Sequence, residues 1–206
     1  MLVTSVPKLH ATSPDPLPFA PDVHVRAFVL ERDAGDLLVY AAPSSKGLGD
    51  VEAQYLNHWH EAAYGGGKAE APLLVHEADR AATEPHMKVS WTFSARTTVD
   101  DDFELIPIGG HTPGSTAFLW DSGGQRLLFT GDSLYLRGEE WVAAVLDSSD
   151  RAAYIESLGV LSELEFDVLV PWAASADGPY YALTDPADTR ARMDAIIDRI
   201  SRGANH

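Results

Sequence analysis

Asn57-His58-Trp59-His60-Glu61-Ala62-Ala63 sets two histidines two residues apart, directly after the strand-like run at residues 53–57. If the chain stays extended through the pair, side chains at i and i+2 point the same way. Two imidazoles on one face of a rigid segment can chelate a metal ion. Two solvent-exposed loop histidines would show the same spacing, so the pair alone leaves both readings open. Two later stretches bear on the choice. In Gly109-Gly110-His111-Thr112-Pro113-Gly114-Ser115, a histidine sits where a strand ends, in a loop constrained by glycine and proline. In Phe129-Thr130-Gly131-Asp132-Ser133, a carboxylate follows an apolar strand. That position suits a functional acid, and equally a turn or cap residue.

Taken in this order and spacing, the three segments resemble the metallo-β-lactamase superfamily, and the likeness runs from about Val23 to the last helix. The resemblance implies the α/β class and a four-layer αββα metallo-β-lactamase sandwich, as one domain over residues 1–206. It also implies that His58, His60 and His111 bind one metal ion, with Asp132 at the carboxylate position that bridges two ions in the family. The chain departs from the family pattern at the second ion. The first motif usually reads His-x-His-x-Asp-His, and here Ala62 and Ala63 occupy its last two ligand positions. A further histidine is usual after the late strand, and Ala173 stands there, next to Trp172. Alanine cannot coordinate, so the second site is expected to be absent.

The resemblance thus implies one zinc ion as cofactor, with iron, nickel or manganese as alternatives for a His and carboxylate set. Three histidines leave a fourth position open, the arrangement of a catalytic zinc. The expected activity is hydrolysis of a small ester, thioester, lactone or amide, with a metal-bound water as nucleophile. Asp132 serves that water as general base, or closes the site as a fourth ligand. The alternative is a non-catalytic relative of the same fold that acts as a binding or scaffold protein. Loss of three ligands favours the alternative, and retention of four together favours the enzyme. Trp172 is expected either to fold over Ala62 and Ala63 or to pack in the core, and Glu61 to face solvent.

Composition narrows the partners. The chain has a formal charge of −16 and only 15 Lys and Arg. Nucleic-acid binding draws on basic surface to release phosphate counterions, so nucleic acid and anionic membrane are disfavoured and a small-molecule substrate or ligand is expected. The absence of cysteine excludes disulfides, thiolate ligands and a cysteine nucleophile. Residues 1–22, with Pro14, Pro16, Pro18 and Pro21, read as an extended lead-in. They show no basic region followed by a long apolar run, so neither signal peptide nor membrane span is expected, and the expected compartment is the cytoplasm.

The remaining pattern is strands first, helices later. Residues 23–31 and 37–42 read as a hairpin, and residues 78–82 as a short helix. Residues 91–131 read as successive strands. Ser149 is expected to cap a helix over residues 150–164, with Tyr154, Leu158, Leu161 and Leu164 as its apolar stripe. Asp185-Pro186 opens the last helix, with Met193, Ile196, Ile197 and Ile200 facing the core.

Overall fold

The run Thr116–Asp121 is buried at each of its first five residues. A strand so composed must be covered on both faces. In a computed structural model describing residues 6–206, it lies inside a six-stranded sheet. The order is Ala182–Leu183, Val168–Val170, Arg126–Phe129, Thr116–Asp121, Phe103–Pro107, Thr97–Val99. Its residues alternate between two apolar layers. Phe118 and Trp120 join Phe103, Leu127 and Phe129 in one cluster. Ala117, Leu119 and Leu128 join Leu158, Leu161, Met193 and Ile196 in another.

Three helices flank the sheets: α1 (Glu77–Thr83), α2 (Arg151–Ser162) and α3 (Pro186–Ser201). Helices α2 and α3 cover the outer face of this sheet through the second cluster. Its inner face meets a second six-stranded sheet, ordered Leu9–Ala11, Phe28–Leu30, Leu37–Val39, Ala53–Tyr55, Leu73–His76, Trp91–Phe93. Aromatic rings cross between the sheets edge to face, Tyr55 on Phe103 at 5.2 Å and Tyr40 on Phe129 at 6.0 Å. Helix α1 follows Leu73–His76, and Leu56, Leu73 and Val75 form a third apolar cluster with Met87 and Val89. The layers run αββα, as expected.

Several local expectations need correction. The hairpin is real only between Phe28–Leu30 and Leu37–Val39. The preceding strand, Ala20–Val25, belongs to a separate five-stranded sheet and pairs with Ala173–Ser175 and Asp15–Leu17. About half of the described part of the lead-in is therefore sheet. Leu9–Ala11 and Asp15–Leu17 are both edge strands, where a residue such as Pro16 removes no needed donor. Residues 1–5 of that stretch lie outside the described residues. The cap of α2 is Asp150, whose carboxylate accepts the Ala153 N–H at 3.0 Å. Ser149 instead donates its hydroxyl to the His111 carbonyl at 3.0 Å. Asp185 caps α3 as read, with Pro186 in its first turn. Among the described residues, no helix is long and apolar enough to cross a membrane.

Candidate metal centre

His58 and His60 converge by a turn, and the extended segment expected of them is absent. His60 already has helical backbone angles, φ −61° and ψ −29°, and leads into a π-helical turn, Glu61–Gly65. Such turns are rare and recur at functional sites. The two imidazoles meet at right angles with centroids 5.1 Å apart, and His111 lies 4.8 Å from His58 and 5.0 Å from His60. All three histidines are buried.

The Glu61 side chain, expected in solvent, is wholly buried. Its Oε1 accepts the N–H groups of Asn57 and His58 at 2.9 and 3.2 Å and faces His58 Nδ1 at 3.1 Å. The turn leaves those amides without carbonyl partners, and the carboxylate supplies the acceptor. By accepting from Nδ1 it also aims Nε2 of His58 at the other ligand atoms, so that once that nitrogen gives up its proton its lone pair faces the site. Burial pushes the Glu61 carboxyl up, to about 7. Exchange of Glu61 for glutamine should weaken metal binding by about 10- to 100-fold, the usual cost of losing a group that orients a ligand histidine. Competition with a chromophoric chelator measures this, and an affinity equal to wild type would remove Glu61 from that role.

His111 is fixed in the same manner. Its Nδ1 donates to the Ala144 carbonyl at 2.7 Å, so its Nε2 is free. The Ala144 N–H in turn donates to the Tyr154 hydroxyl at 3.0 Å, and that hydroxyl donates to the Ser133 carbonyl at 2.6 Å. Tyr154, read from sequence only as part of a helix stripe, thus ties His111 to the turn that carries Asp132. That turn needs glycine. Gly131 has φ +57°, and a Cβ there would collide with the Asn57 side chain. Gly110 has φ +140° and lies against the backbone of Tyr154.

The free atoms face one another. His60 Nδ1 and His111 Nε2 are 3.0 Å apart, and Asp132 Oδ2 is 3.4 Å from His58 Nε2 and 4.0 Å from His111 Nε2. One atom from each of the four residues lies within 4.8 Å of every other. Two nitrogens on one tetrahedral zinc, each about 2.0–2.1 Å from it, would be about 3.3 Å apart. His58 Nε2 and Asp132 Oδ1 are buried without a hydrogen-bond partner, and an unpaired buried polar group is costly. Burial, then the neighbouring His58 and His111, hold His60 down to about 3. Burial, then His58, hold His111 down to about 4. Both are therefore neutral, as ligands must be. The residues present fit a metal ion.

The positions read as those of a second site carry alanine. Ala173 lines the same cavity as His60, His111 and Asp132. Ala62 belongs to the outer apolar cluster with Leu56 and Leu73. Of its two expected roles, Trp172 takes the core one. It is buried in the core cluster, and its ring meets His58 edge to face at 5.6 Å while Nε1 donates to the Ala41 carbonyl at 2.7 Å. One residue of the site has no role assigned to it by the sequence motifs. Asp79, on α1, accepts the Trp59 N–H at 3.0 Å, the Thr112 hydroxyl at 2.7 Å and the Gly114 N–H at 2.8 Å. It joins the first histidine loop to the second. An acid early in a short helix is ordinary charge complementarity to the helix dipole, so nothing local marks it out.

The fold and the donor set together define a class: αββα sandwiches with a buried three-histidine, one-carboxylate centre. The chain belongs to the metallo-beta-lactamase superfamily, whose sequence profile matches residues 52–173, a span that contains all four candidate ligands. No curated protein matches at the same standard. Among solved structures, a metallo-beta-lactamase from Pontibacter korlensis is 16% identical, with a TM-score of 0.67 over 94% of this chain and 96% of that one. An archaeal superfamily protein from Sulfolobus tokodaii is also 16% identical, with a TM-score of 0.59 over 91% and 85%. AidC, a dizinc quorum-quenching lactonase in complex with a hexanoyl-homoserine product, is 14% identical, with a TM-score of 0.56 over 79% and 76%. At these identities the likeness is one of fold.

Proposed function

We propose that this chain is a mononuclear metal-dependent hydrolase of a small ester, thioester, lactone or amide. The observation that carries this reading is the convergence of ligand atoms from four residues, three of which, His60, His111 and Asp132, line a cavity of about 420 Å³. A bound zinc ion supplies Lewis acidity and makes water acidic enough to react near neutral pH. The chain supplies the rest. Asp132 keeps Oδ1 free of any partner beside the ligand nitrogens, and that oxygen takes the proton of the attacking water. Glu61 and the Ala144 carbonyl hold His58 and His111 in their ligand tautomers. Trp172 and Ala173 add apolar lining beside these groups. AidC is a dizinc enzyme. Here Ala62, Ala63 and Ala173 offer no second ligand set, which supports a single ion.

The test is initial-rate hydrolysis of simple esters, thioesters, lactones and amides by the zinc-loaded chain. Wild type should turn over at least one class, and Asp132→Ala should be slower by about 10²- to 10⁴-fold, the usual worth of a positioned base. Equal rates for both would take Asp132 out of the mechanism. No turnover across the panel would favour the binding or scaffold reading.

A further inference from the structure

The mouth of the cavity carries apolar surface that binding an ion does not require. Phe19, Tyr64 and Leu146 stand there, 65%, 43% and 41% exposed. Among the described residues only six large apolar side chains are this exposed, and three of them border this one opening. Phe19 lies at the turn between Asp15–Leu17 and Ala20–Val25. Its ring meets Tyr64 edge to face at 5.0 Å, and Tyr64 lies against His60 at 5.8 Å. The hairpin tip and the π-helical turn therefore make one aromatic wall that runs from solvent down to a metal ligand.

The charges around this wall are one-sided. The lining contains no lysine or arginine. Apart from the phenols of Tyr64 and Tyr135, its ionisable groups are His60, His111 and Asp132, all at the floor. The whole chain carries −16. An anion entering along the wall would lose water and gain no counter-charge. An apolar arm would gain by covering rings that otherwise face water.

We infer that the site takes uncharged substrates with an apolar arm several carbons long, seated on Phe19, Tyr64 and Leu146, and rejects arms that carry an anion. This rests on the hydrolase reading and narrows its substrate class. The test is calorimetric binding to the zinc-loaded chain, which needs no turnover. Three probes serve: N-methyloctanamide, N-methylacetamide, and the octanamide analogue whose chain ends in a sulfonate, a poor zinc ligand. The neutral long probe should bind at least about tenfold more tightly than either of the others. Phe19→Ala should reduce that preference several-fold, and Phe19→Leu should restore most of it. Phe19 is mostly exposed, so its truncation leaves the core intact. Equal binding of the long and short amides, tighter binding of the sulfonate, or an unchanged preference in Phe19→Ala would each overturn the inference. Selective binding without hydrolysis would leave it standing and remove the hydrolase. Hydrolysis indifferent to the arm would do the reverse.

Discussion

Purified after growth with added zinc, the chain should carry one equivalent of the ion, and a His58→Ala, His111→Ala double variant should carry none. The four ligand atoms already lie within 4.8 Å of one another. Their orientation is enforced by Glu61, the Ala144 carbonyl and the turn at Gly131, so binding orders little that is not already ordered. Zinc at about one hundred times its dissociation constant adds about 2.7 kcal/mol to the folded state. For a domain of this size that is a rise in Tm of about 5–10 °C, and a chelator should reverse it. The affinity should also depend on pH. In the metal-free chain burial opposes charge on His58, but the Asp132 and Glu61 carboxylates on either side of its ring raise its pKa to about 10. Below that pH an entering ion must displace the His58 proton. Affinity therefore falls as pH falls, by about tenfold per unit. His60 and His111, held down to about 3 and 4, contribute no further proton until the solution is strongly acidic. Inductively coupled plasma analysis gives the stoichiometry, and chelator competition at about pH 6 and pH 8 gives the slope. Two tightly held equivalents would sink the single-site description. A flat pH dependence would mean that His58 does not hold a proton between its two carboxylates.

The candidate ligands were legible because they lie just beyond strand ends, close to glycine, proline or a second histidine, and such punctuation survives in sequence. The sandwich was legible through the motif resemblance and the strands-then-helices order, and the burial of Thr116–Asp121 on both faces agrees with it, since such a strand calls for two covering layers. What holds the ligands was much less visible. Glu61 has the composition of a surface residue, and only the π-helical turn sends it inward. The turn also changes why His58 and His60 converge: the strand period suggested a shared face, whereas the chain folds back to bring the rings together. Tyr40 donates its hydroxyl to the Val170 carbonyl at 2.7 Å and accepts the Gly131 N–H at 2.9 Å, across some ninety residues or more. Bonds between side chains and distant backbone groups have no period and no local spacing. They depend on which loops the fold brings together, so they are read only once the fold is known.

Replacement of Asp79 by alanine should cost about 3–5 kcal/mol of stability, a large share of the roughly 5–15 kcal/mol that holds a domain folded. The carboxylate is buried and accepts from three donors on two different loops: Trp59 N, Thr112 Oγ1 and Gly114 N. Thr112 keeps a second partner in Ser115 Oγ at 2.9 Å, but no other partner accounts for the two amides. Each buried donor left unpaired costs about 1–3 kcal/mol. Asparagine should be little better. Three donors converge on the site, and an amide offers one acceptor oxygen while adding two donors of its own. The loss should extend to metal binding. Trp59 lies between His58 and His60, and Thr112 follows His111, so freeing these loops loosens all three histidines at once. Urea unfolding of the metal-free wild type, Asp79→Ala, Asp79→Asn and the neighbouring exposed Glu77→Ala separates the effects. Glu77→Ala should stay within about 0.5 kcal/mol of wild type, as surface substitutions do. A loss below about 1 kcal/mol for Asp79→Ala would show that the two histidine loops are held together by something other than this carboxylate.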